Sequence, residues 1–156
     1  TDGQKGVAPL SLSYPGWGFW RIEVATFAKL FAIALPVFLV IDLIWLGIVA
    51  RPFYQAQLGP LMREDVKWGA AFLFYLIFVA GIVVLAVLPA VQRESFLQAA
   101  ALGAMLGLVS YAAFDLTGLA TIQGFPQTMA LVDLVWGTLL TATVSAATYK
   151  IWFLFA

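Results

Sequence analysis

The chain has 156 residues, 63% of them hydrophobic and 10% charged, with a formal net charge of zero. Ordinary soluble domains carry roughly a quarter charged residues, and a soluble chain this short exposes too much of its surface to hide so much apolar material. Cysteine and histidine are both absent, which excludes disulfides, iron–sulfur clusters, thiolate zinc sites, histidine-ligated haem and the usual general base near neutral pH; the balanced charge gives no basic surface for nucleic acid.

In chain order, residues 1–24 come first, a stretch rich in glycine, proline and aromatics. Tyr14, Trp17, Phe19 and Trp20 stand just before the first long apolar run. Trp and Tyr favour the headgroup level of a bilayer, so this arm reads either as an interfacial anchor or as a docking segment for another protein.

Residues 25–156 read as an all-α domain, a polytopic bundle of four transmembrane helices. A helix needs about 20 residues to cross a hydrocarbon core about 30 Å thick. Four runs meet that length: about residues 26–50, 69–91, 96–122 and 129–149. The first is expected to stop at Arg51-Pro52, because the residue before proline avoids the α region. Pro36 should kink it by freeing the Ala32 carbonyl. The first run is too long, and lacks the small-residue site, for a cleaved signal peptide. Residues 92–95 and 123–128 are short hairpins, and residues 51–68 form the one sizeable loop.

With four spans, Lys5, Arg21, Lys29, Arg93 and Lys150 fall on one side and Arg51, Arg63 and Lys67 on the other. The positive-inside rule then places both termini in the cytoplasm. In the third span Gly103 and Gly107 make a Gly-x-x-x-Gly pair, a surface for close helix approach within the bundle or, as a second arrangement, in a homo-oligomer.

The informative residues are Asp42, Asp115 and Asp133, acids inside apolar spans. A lipid-facing carboxylate costs several kcal/mol, so such groups face the bundle interior or a wet cavity. Asp42 lies nine residues before Arg51, Asp115 eight before Gln123, and Asp133 six after Gln127. At 1.5 Å per residue these are about 13, 12 and 9 Å of helix. The relevant helix ends share one side, so the three acids should converge on one polar pocket opening toward Arg51. Val40-Ile-Asp42-Leu-Ile-Trp45 is echoed by Leu131-Val-Asp133-Leu-Val-Trp136. The three-residue spacing puts each Trp on the face of its Asp. Thr117 and Thr121, four apart, share a face and are expected to add hydroxyls to the third acid.

Such a cluster can be polar glue between helices or a proton or cation site, since close carboxylates share protons and hard cations take oxygen ligands. Nothing identifies a metal. Catalysis has little to work with: there is no Gly-x-Ser-x-Gly elbow and no phosphate-binding glycine loop. Only an acid-only site remains to an enzyme.

Phe38-Leu-Val-Ile-Asp42-Leu-Ile-Trp45-Leu-Gly47, then Phe53-Tyr54 and Gln57-Leu-Gly59, resemble the bacterial membrane-protein family known as domain of unknown function 2177. Phe114-Asp-Leu-Thr-Gly-Leu-Ala-Thr121, Phe125-Pro126 and Val132-Asp-Leu-Val-Trp-Gly-Thr138 continue the resemblance, which covers about residues 29–149. At the third acid the family pattern reads Tyr-Asp-Leu-Thr-Asn, where this chain has Phe114 and Gly118. The resemblance implies a four-helix protein of the bacterial inner membrane and supplies no activity. The functional expectation is a non-catalytic accessory subunit packed against other membrane subunits, in a respiratory or photosynthetic complex for example. It would hold bound lipid and no cofactor. The alternative is a small proton- or cation-translocating bundle.

Overall fold

A computed structural model describes residues 24–155, save 60, 61 and 64. The arm expected over residues 1–24, with Tyr14, Trp17, Phe19 and Trp20, lies outside the described residues except for Val24. Four helical stretches are long and apolar enough to cross a membrane: Val24–Leu58, Trp68–Gln92, Phe96–Thr121 and Gln127–Phe155. No strand occurs among the described residues. The protein is an all-α, four-helix membrane bundle.

The first stretch corrects the expected stop at Arg51-Pro52. Helix α1 (Val24–Ile44) runs through Pro36 without a break, passes into a π-helical segment (Trp45–Ala50) and continues as α2 (Arg51–Leu58). Proline lacks an N–H, and its ring crowds the carbonyl four residues back. The wider π turn, in which the Arg51 N–H reaches back to the Leu46 carbonyl, relieves that crowding and lets the helix go on. The 35-residue stretch is about 52 Å long at 1.5 Å per residue. It is therefore longer than the hydrocarbon core is thick. The second stretch repeats the device: α3 (Trp68–Ile82), a π segment (Val83–Val87) whose following Leu88 N–H bonds the Val83 carbonyl, and α4 (Leu88–Gln92) with Pro89 in its first turn.

Helix α5 (Phe96–Thr121) starts at Ser95, whose side-chain oxygen accepts the Gln98 N–H at 3.3 Å, an N-cap of the preferred kind. A turn through Gly124, at φ +79°, where a side chain would be strained, leads into α6 (Gln127–Phe155). Helix α6 continues past the end expected at Tyr149. Lys150 is no stop signal here, because its long stem lets the ammonium reach outward, and Nζ sits 4.9 Å from the centre of the Phe96 ring.

The core lies where α1, the second stretch and α6 meet, around Leu30, Phe38, Val79, Ile82, Leu140 and Val144, all essentially without exposure. Helices α5 and α6 pack through glycines. Gly103 and Gly107 are buried. A methyl at Gly103 would sit 2.5 Å from Ser145 Oγ and 2.6 Å from the Thr141 carbonyl oxygen, and one at Gly107 would overlap the Gly137 carbonyl. The Gly-x-x-x-Gly face is therefore consumed inside the bundle and is not open to a second copy. Leu97, Val109, Leu131 and Leu154 are exposed on the outer faces, the arrangement lipid favours and water does not.

Candidate functional site

Asp42 on α1, Asp115 on α5 and Asp133 on α6 are all buried. Two have tyrosine partners. The Tyr75 hydroxyl, on α3, donates to Asp42 Oδ2 at 2.8 Å, and the Tyr54 hydroxyl, on α2, donates to Asp133 Oδ1. The second contact exists because the π turn carries the helix past Pro52, placing Tyr54 on a helix rather than in a loop. Asp115 differs: it is fully buried, and among the described residues neither carboxyl oxygen has a hydrogen-bond partner. A buried carboxyl without a donor is expensive.

Trp45 and Trp136 both line the cavity that holds Asp42, whereas Asp133 lines a second cavity with no tryptophan in its wall. Trp45 and Trp136 stack on each other, ring centres 4.2 Å apart and planes 11° from parallel. The Trp45 indole N–H is buried without a partner.

The acids do not share a single pocket. Two cavities flank Tyr111 and Phe74, which line both. One, of about 190 Å³, holds Asp42 together with Trp45, Tyr54, Tyr75 and Trp136. The other, of about 290 Å³, holds Asp115 and Asp133 with Ser110, Phe78 and Phe114. The expected cluster is thus a divided chamber, with an aromatic wall where a continuous carboxylate group was anticipated. Among the described residues no group of three or more acidic side chains is placed to hold a metal ion.

Thr117 and Thr121 are not brought to the acids. Both are exposed, and their hydroxyls bond carbonyls of their own helix: Thr117 to those of Ala113 and, at 3.0 Å, Phe114, and Thr121 to that of Thr117 at 2.7 Å. Two residues of α-helix turn a side chain by about 200°, so a threonine two places after a core-facing Asp115 points away from it. Phe114 is exposed too. A methyl at Gly118 would meet the Phe125 ring at 2.8 Å. The two departures from the family pattern therefore lie at the rim and under the hairpin.

Sequence reasoning overlooked Tyr75 and Tyr111, and treated Tyr54 only as part of a motif. The signal was there: a phenol inside an apolar run carries a hydroxyl that seeks a partner when buried. Gly137, too, was read only as part of a motif. A methyl on it would overlap the Tyr111 ring, so this glycine makes room for the tyrosine that separates the cavities.

A family model described as a predicted membrane protein, DUF2177, matches residues 27–150, and the chain belongs to that family. No curated protein and no solved structure matches the chain.

Proposed function

We propose that this bundle exchanges a proton for a cation inside the membrane, at the divided chamber around Tyr111. The carrying observation is Asp115, fully buried with both oxygens unpartnered and lining a cavity beside Asp133. Such a carboxyl must hold a proton or meet a positive charge, because an uncompensated buried carboxylate is too costly. Asp42 and Asp133 take their hydrogen bonds from tyrosines rather than from Lys or Arg, so among the described residues the chamber has no internal counter-charge. Polar glue accounts less well for Asp115, since glue implies a bonded partner.

The accessory-subunit reading drew on the aromatic arm, which lies outside the described residues, and the bundle's geometry adds no support to it. The proposed setting is the bacterial inner membrane, with both termini cytoplasmic by the distribution of Lys and Arg.

The test uses proteoliposomes with an entrapped pH dye and an acidic interior. Adding sodium, potassium or guanidinium chloride outside should collapse the pH gradient faster than in protein-free vesicles, and Asp115→Asn should return the rate to the protein-free level. Equal rates for the wild type and a folded Asp115→Asn variant would sink the exchange reading.

A further inference from the structure

We infer that the cavity holding Asp115 and Asp133 takes a lipophilic amine in its protonated form, an ammonium bearing at least one N–H. This rests on the exchange reading and specifies its cation.

The lining narrows the ligand class. Asp115 presents two oxygens with no donor, so the missing partner is a hydrogen-bond donor that also carries positive charge. A protonated amine supplies both. A quaternary ammonium supplies the charge alone. An inorganic cation fits poorly, because hard ions gather six or more oxygens. Six side-chain oxygens enter this lining, from Asp115, Asp133, Ser110 and Tyr111, and one of them, Asp133 Oδ1, is already taken by the Tyr54 hydroxyl. The rest is aromatic: Phe74, Phe78 and Phe114 join Tyr111, and ring faces attract an organic cation while solvating its apolar part.

Size and access agree. A cavity of about 150 Å³ is enough to hold benzene, and this one is about 290 Å³, so a benzyl-sized amine fits. Phe74 and Phe114 are 48% and 63% exposed on the outer face, in helices that meet lipid there, so entry runs from the bilayer and favours a ligand that partitions into it. The proton balance closes: one proton leaves the Asp115 carboxyl for water as one ammonium enters, and the carboxylate accepts the ammonium N–H with no change in net charge.

The experiment compares N,N-dimethylbenzylamine, protonated at pH 7, with benzyltrimethylammonium, a near-isostere lacking the N–H. Each is titrated calorimetrically into the full chain in mild detergent, in two buffers of different ionisation heat. The dimethyl compound should bind at least tenfold more tightly and release about one proton per ligand, and Asp115→Asn should abolish the preference. The paired comparison needs only the wild type, so it decides the matter even if the variant fails to fold. Equal affinities for the two ligands, or a preference that survives Asp115→Asn, would overturn the inference. Vesicles that exchange protons for sodium or potassium while neither amine binds would overturn this ligand class and leave the exchange reading standing. Tight amine binding without proton release would instead count against exchange itself.

Discussion

Replacing Gly103 by alanine tests the close approach of α5 and α6, on which the position of Asp115 relative to Asp133 depends. The new methyl would lie 2.6 Å from the Thr141 carbonyl oxygen, where ordinary contact begins near 3.4 Å. The helices must therefore part locally by about 0.8 Å, the difference of those two distances, because a carbonyl in a helix cannot swing aside. A gap of that size forfeits about a quarter to a half of the dispersion attraction across it, and overpacking of this kind costs about 1–3 kcal/mol. Alanine's better helix propensity returns up to about 1 kcal/mol. Gly81→Ala is the matched control, since nothing lies within 4 Å of a methyl there and only the propensity gain applies. The two variants should differ by about 1–3 kcal/mol, or about 2–12 °C at 2–4 °C per kcal/mol for a chain of this size. Thermal unfolding in mild detergent, followed by circular dichroism, reads the difference directly. If Gly103→Ala melts no lower than Gly81→Ala, the helices are not packed backbone to backbone and the chamber's dimensions are wrong.

Tyr54→Phe and Tyr75→Phe each remove the donor to a buried carboxyl and should destabilise by about 1 kcal/mol, within the range of membrane hydrogen bonds. Tyr111→Phe, whose hydroxyl makes no hydrogen bond among the described residues, should be close to neutral; equal losses in all three by thermal unfolding would deny the tyrosine–carboxyl pairs. For orientation, cysteines placed singly at Gln57 and Gln98 are probed in intact cells with an impermeant thiol reagent. Gln57→Cys should label and Gln98→Cys stay protected, and the reverse pattern would place the termini outside.

What the sequence determined by itself is whatever depends on lengths and local periods. Uninterrupted apolar runs of bilayer length mark the four spans, because lipid tolerates no other solution for so much apolar chain. The three-residue spacing that gives Trp45 the helix face of Asp42 and Trp136 that of Asp133 is a property of any helix, but that Trp136 lines the cavity of Asp42 and not that of Asp133 was not legible in it. The tertiary structure decided everything set by rotation of one helix against another. Periodicity alone cannot say that Tyr75 meets Asp42, that Tyr54 reaches Asp133 only because a π turn carries the helix past Pro52, or that Tyr111 splits the chamber. Thr117 and Thr121 show the same limit from the other side: they share a face with each other, but the angle between that face and Asp115 turns them outward. The glycines follow suit, for a Gly-x-x-x-Gly pair states that a backbone can come close, and only the packed bundle shows that the space is taken by Gly137, Thr141 and Ser145 of its own fourth span.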